Sequence, residues 1–201
     1  MPGRKIQLWV LAVAILAAAV VPTVLGQMGG RSSTLTQPRT SPHDVISSTF
    51  DGDRFGNRVM LVYGRPYSKD PRGEDIRKIW GGLVPWGSRW RLGADEATLM
   101  ITQKALKFGS LSVPAGTYSL WMLPVEQGPS KLIISRQFGQ WGMAEPYLEN
   151  MELGTADLKR ETVPDRVDQL TMALERGESG GGVIRITWEN LSFYAPFTVE
   201  K

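Results

Sequence analysis

The sequence predicts an all-β domain, an antiparallel β-sandwich or flattened barrel of roughly eight to ten strands. Three observations point there. Short apolar or alternating stretches recur from residue 44 onward, Gly, Pro, Asn and Asp separate them, and few stretches carry helical periodicity. With 201 residues, 42% of them hydrophobic, the chain can bury one sizeable core.

Val45–Phe50 and Arg58–Tyr63 flank a turn-rich connection, Asp51 to Asn57, and read as a hairpin. Thr98–Thr102 alternates, with Leu99 and Ile101 on one face and Met100 on the other. Leu106–Phe108 and Leu111–Val113 follow across Gly109-Ser110, then Thr117–Leu123 after Pro114-Ala115-Gly116, and Lys131–Ser135 after Gly128-Pro129. Val167–Leu174 sets Leu170, Met172 and Leu174 on one face, the period of two that a half-buried sheet requires. Ile184, Ile186 and Trp188 alternate in the same way, as do Leu191, Phe193, Ala195, Phe197 and Val199, so a hairpin turning at Glu189-Asn190 is expected between them. Gly139–Asn150 could hold a helical turn or two, Ser68–Lys78 reads as a polar loop, and Gly180-Gly181-Gly182 reads as a turn.

The amino terminus carries targeting features. Arg4 and Lys5 precede an apolar run from Ile6 to Val21, and Val24, Leu25 and Gly26 resemble a signal-peptidase site, so residues 1–26 are expected to be a signal peptide. The alternative is an uncleaved membrane anchor over residues 6–25. Residues 27–42, rich in Gly, Ser, Thr, Gln and Pro, are expected to be a flexible linker, and 43–201 a single β-rich domain. The expected location is therefore secreted or periplasmic.

Composition excludes several classes of function. Lys and Arg total 23 against 20 Asp and Glu, and without Arg4 and Lys5 the basic count falls to 21, which leaves no polyanion-attracting excess and argues against a nucleic-acid partner. No cysteine and only one histidine, His43, exclude disulfides, thiolate chemistry and multi-histidine metal centres. No Gly-x-Ser-x-Gly elbow accompanies His43. The Asp51-Gly52-Asp53 turn lacks the distal glutamate of an EF-hand, since Val62 stands there.

The motif-rich stretch contains Gly64-Arg65-Pro66, the run Ile79 to Gly87 (IWGGLVPWG), the run Trp90 to Thr98 (WRLGADEAT) and Val113 to Leu120 (VPAGTYSL). In these four blocks, and in its span from Ser41-Pro42-His43 to Trp188-Glu189-Asn190, the chain resembles the exported bacterial family catalogued as domain of unknown function 2911. The resemblance implies a secreted or periplasmic β-rich domain and carries no activity with it.

Trp80, Trp86 and Trp90 lie in a loop too rich in Gly and Pro for a regular strand. They can plug one end of a sandwich or present an aromatic platform for a sugar or another flat ligand. Arg65, Arg91, Asp95 and Glu96 form the densest charged group, either bracing that loop or gripping a ligand carboxylate or phosphate. If the strand has begun by residue 95, the side chains of Asp95 and Glu96 diverge and cannot work as a pair. The favoured reading is a non-enzymatic module that binds a small molecule, glycan or envelope protein through Trp80, Trp86, Trp90, Arg65, Arg91 and Glu96, with no catalytic residue, metal or cofactor assigned. The alternative is an envelope hydrolase or metal-assisted enzyme using Glu96, Asp95 and His43.

Overall fold

The structure, a computed structural model, describes residues 39–52, 55–70, 73, 75–142, 146–177 and 180–200. The expected signal peptide, residues 27–38 of the expected linker, and Asp53 lie outside the described residues. Nine strands are present: β1 (His43–Phe50), β2 (Asn57–Gly64), β3 (Thr98–Thr102), β4 (Leu106–Phe108), β5 (Leu111–Val113), β6 (Gly116–Leu123), β7 (Ser130–Ser135), β8 (Glu152–Arg176) and β9 (Gly182–Val199). A single turn of 3-10 helix, Glu149–Met151, precedes β8. Among the described residues no helix is long and apolar enough to cross a membrane.

The strands pair in the order β1-β2-β3-β6-β7-β8-β9-β4-β5, and every pairing is antiparallel. β8 folds this sheet into a sandwich. Its first residues pair with β7, from Glu152 opposite Ser135 to Leu158 opposite Ser130, and its remainder pairs with β9. Val59, Leu61, Met100, Leu120 and Leu132 come from one layer and Leu170, Met172, Ile184, Ile186 and Phe193 from the other, and all join one buried cluster. Burying each such side chain contributes about 1.5–3 kcal/mol, which makes this shared core the main stabilising element.

The structure corrects one expected turn. β9 runs unbroken through Glu189-Asn190, so no hairpin forms there. Glu189 instead takes a left-handed conformation (φ 53°), and the register against β8 shifts on either side of Val167, which pairs with Glu189. From Thr162 to Thr171 β8 advances nine residues while β9 advances four, from Thr187 to Leu191, and this odd offset accompanies a reversal of the parity that faces inward on β9. Ile184, Ile186 and Trp188 and then Phe193, Ala195 and Phe197 therefore all reach the core from a single strand. The hairpin lies between β8 and β9 instead, closed by Gly177 N donating to the Gly181 carbonyl at 2.9 Å.

Candidate functional site

The site begins where β1 starts and β2 ends, with His43 paired opposite Gly64. After the tryptophan-rich loop the chain returns and lays residues 93–96 directly on that corner, and Ala94 N donates to the Gly64 carbonyl at 3.3 Å. A Cβ on Gly64 would stand 2.2 Å from the Ala94 carbonyl oxygen, so this approach needs glycine. Leu92 (φ 56°) and Asp95 (φ 64°) are left-handed, each at a cost of about 1–2 kcal/mol. Thr98 holds the loop in that shape: its N–H donates to the Arg91 carbonyl at 3.1 Å and its hydroxyl to the Leu92 carbonyl at 2.7 Å.

Because β3 starts only at Thr98 and Asp95 is left-handed, strand alternation does not apply at residues 95 and 96. Both carboxylates approach His43. Its Nε2 lies 3.0 Å from Glu96 Oε2 and 4.0 Å from Asp95 Oδ2. One ligand-capable atom from each of His43, Asp95 and Glu96 falls within 4.8 Å of the others. Donors bound about 2.0–2.2 Å from one divalent ion span separations up to roughly twice that, and both distances from Nε2 fit.

Arg39 fills the centre of this group. Its Nη1 donates to Glu96 Oε2 at 2.5 Å and its Nη2 to Glu96 Oε1 at 2.7 Å, while Nη1 lies 2.7 Å from His43 Nε2 and 3.9 Å from Asp95 Oδ2. This fork holds the Glu96 carboxyl down at about 2, against partial desolvation and with help from His43. The polar accounting is incomplete. Nε2 of His43 cannot accept from Arg39 and donate to Glu96 in one tautomer, and His43 Nδ1 and Asp95 Oδ2 are buried without a hydrogen-bond partner. Beside the cluster lies a groove of about 400 Å³ lined by Arg39, His43, Tyr63, Glu96 and Leu99 among others. The ring of Trp141, 46% exposed, stands 5.7 Å from the Arg39 guanidinium.

The other residues singled out in the sequence divide into three groups. Trp80 (7% exposed) and Trp90 (8%) are buried with Trp188 and Phe193 at this end of the sandwich. Trp90 stacks on Trp188 at 5.9 Å, Trp80 meets Trp90 edge-on at 5.9 Å, and Trp80 Nε1 donates to the Trp188 carbonyl at 3.1 Å. Trp86 is half-buried, stacked on Trp80 at 5.8 Å. Arg65 braces β2 to β8 and β1: Nε donates to the Leu170 carbonyl, Nη2 to Thr171 Oγ1 and Nη1 to Asp44 Oδ2. Arg91 has no such set. Its Nε is buried without a partner, and burial lowers its pKa against the opposing pull of Asp95.

Arg91, Trp90 and Asp95 share a second cavity of about 260 Å³ with Arg77 and Trp188. Asp95 thus belongs both to the histidine-carboxylate cluster and to this cavity. Two residues of the site escaped sequence reasoning. Arg39 lies in the stretch expected to be a flexible linker, where nothing in the composition marks it. Trp141 had a usable signal, an aromatic set between the turn glycines Gly139 and Gly142.

No curated protein and no solved structure matches this chain. One family model does, over residues 41–197, a span that holds β1 to β8 and all but the last two residues of β9, together with His43, Arg91, Asp95 and Glu96. The chain belongs to that family, whose description is Protein of unknown function (DUF2911).

Proposed function

We propose that this is an exported protein whose His43, Asp95 and Glu96 take up a divalent cation and use it to assist hydrolysis of a small envelope substrate. One observation carries the reading: three side chains of ligating chemistry, from points 53 residues apart in sequence, converge within 4.8 Å around a cationic nitrogen of Arg39. A guanidinium already at the centre shows what charge the cluster favours. A small divalent ion is the tighter fit for a neutral imidazole and two carboxylates. Three protein ligands leave coordination positions for water, and such an ion acts as a Lewis acid and brings its water's pKa toward neutrality. His43 and the two carboxylates hold and neutralise the ion, and the adjoining groove gives substrate access to it.

The test is calorimetric titration of the EDTA-stripped chain with Zn²⁺ and Mn²⁺. One ion per chain is expected, with His43→Ala and Glu96→Gln each weakening binding at least tenfold while the β-sheet circular dichroism is unchanged. Absence of saturable binding, or undiminished binding in the double variant, overturns the proposal. Export belongs to the same proposal, and amino-terminal sequencing of the mature protein should find residues 1–26 removed.

A second reading keeps the chain a non-enzymatic binding module working through the Trp80–Glu96 loop. The observation in its favour is that Trp90 and Arg91 line a common cavity. Metal uptake without turnover of any ester, phosphoester or glycoside would favour it.

A further inference from the structure

The cavity beyond Asp95 contains a second kind of chemistry. Two guanidinium groups line it, Arg77 and Arg91, and the Nε of each is buried without a hydrogen-bond partner. Arg77 Nη2 donates to the Tyr67 carbonyl, and the charge of Asp95 acts on Arg91 while Arg91 Nε has no hydrogen-bond partner. The single acidic residue lining the cavity is Asp95, which also faces the histidine-carboxylate cluster. The lining is therefore net cationic, and an ion in the cluster would draw the Asp95 charge away and make it more so.

Desolvating a guanidinium without hydrogen-bond partners is unfavourable, and the arginines elsewhere compensate: Arg89, whose Nε is also buried without a partner, sets Nη2 between Glu149 and Glu152. Arg65 uses all three of its nitrogens, and Arg185 meets Glu161, Glu175 and Ser192. Arg91 is moreover held in place. A Cβ on Gly142 would lie 2.7 Å from Arg91 Cδ and 2.7 Å from the Asp95 carbonyl oxygen, so the segment ending at Gly142 closes tightly over both residues. Trp90 and the exposed Leu83 supply apolar lining, with the fully buried Trp188 packed behind them, and Ser41 also borders the cavity. The volume, about 260 Å³, is just below the range of drug-sized pockets.

We propose that this cavity is an oxyanion site in which Arg91 and Arg77 grip the carboxylate or phosphate of a small organic anion while Trp90 and Leu83 contact its apolar part. Fork-shaped guanidinium groups match both oxyanions. The site stands on its own geometry. Its use as a substrate subsite rests on the proposed metal centre, because Asp95 lies at both. On that footing the substrate is an anionic ester or amide: water adds its oxygen to the acyl or phosphoryl centre, the bond to the leaving group breaks, and a proton from the water ends on the departing oxygen or nitrogen.

The experiment titrates the full chain, in EDTA, with acetate and separately with inorganic phosphate, read by calorimetry and tryptophan fluorescence. Saturable binding of one anion per chain at millimolar concentration is expected. Arg91→Met and Arg77→Met should each weaken it at least tenfold, and Arg91→Met should leave the melting temperature unchanged or raised, since a half-buried guanidinium with an unsatisfied Nε is removed. Arg91→Lys keeps the charge but loses the fork and should also weaken binding, which provides a second variant if Arg91→Met fails to fold. The stronger of the two probes identifies the carboxylate or the phosphate as the natural group. Glu96→Gln should weaken metal uptake at least tenfold and leave anion binding within about twofold, so the two sites fail separately. No saturable binding of either probe, or undiminished binding in the Arg77→Met/Arg91→Met double variant, overturns the site even if metal binding stands.

Discussion

The two ends of β2 handle polar groups in opposite ways. At its start, Asn57 is fully buried and fully used: Oδ1 accepts from the main-chain N–H groups of Gln103 and Lys104 at 3.1 and 2.8 Å, and Nδ2 donates to Thr102 Oγ1 at 3.0 Å. At its end, around Gly64, the structure gathers Arg39, His43, Arg91, Asp95 and Glu96 yet leaves His43 Nδ1, Arg91 Nε and Asp95 Oδ2 buried without partners. A network with every member satisfied rigidifies a fold, whereas one left partly satisfied is costly and calls for a partner such as an ion or a ligand. The same strand therefore anchors the hairpin at one end and supports the candidate site at the other.

The comparison is sharpest when each end is broken in turn. Asn57→Ala removes three hydrogen bonds of a fully buried side chain, worth about 1 kcal/mol each, and should cost about 3 kcal/mol, seen as a lower urea midpoint, while metal affinity in the folded fraction is unchanged. Gly64→Ala acts at the other end, where its Cβ would sit 2.2 Å from the Ala94 carbonyl oxygen. Displacing the 93–96 turn should cost about 1–3 kcal/mol, and it should also weaken ion binding at least tenfold because Asp95 and Glu96 move away from His43. If Gly64→Ala binds metal as the native chain does, the turn does not position the site.

The smallest effect concerns Arg39 in the metal-free protein. Glu96 titrates at about 2 instead of 4.5, chiefly because Arg39 hydrogen-bonds it. Its folded value is the lower one, so its contribution to stability is complete above about 4.5 and is lost as the pH falls from there through about 2. Arg39→Ala should return the Glu96 carboxyl toward its ordinary range, visible in a carbon-detected NMR titration, and remove that acid-side loss of stability. It should also tighten divalent-ion binding, since the competing guanidinium is gone.

Much of the fold is written in local patterns. β2, β3 and β4 follow from alternation, because one face of each is buried and a period of two records it, whereas β6 and β7 are buried on both faces and are marked by apolar runs between turn residues. β8 is less legible: between Glu152 and Val167 only Ala156 and Leu158 are buried, so alternation has little to act on. The bulge at Glu189 was misleading for a definite reason, since an inserted residue and a tight turn both reverse parity. The site is legible only in part. His43, Asp95, Glu96 and Arg91 stand out by chemistry, but their meeting depends on the left-handed Asp95 and the close approach at Gly64, which no local pattern records. Arg39 reaches the centre by tertiary contact from a stretch that reads as a linker.

The central claim is that His43, Asp95 and Glu96 form one cation site with Arg39 in the ion's place. Anomalous diffraction from crystals grown with Zn²⁺ tests it most directly. A single peak about 2.0–2.2 Å from a ring nitrogen of His43 and from carboxylate oxygens of Asp95 and Glu96, with Arg39 displaced, is the predicted result. Crystals in which Arg39 still forks onto Glu96 and no peak lies near His43 would contradict it.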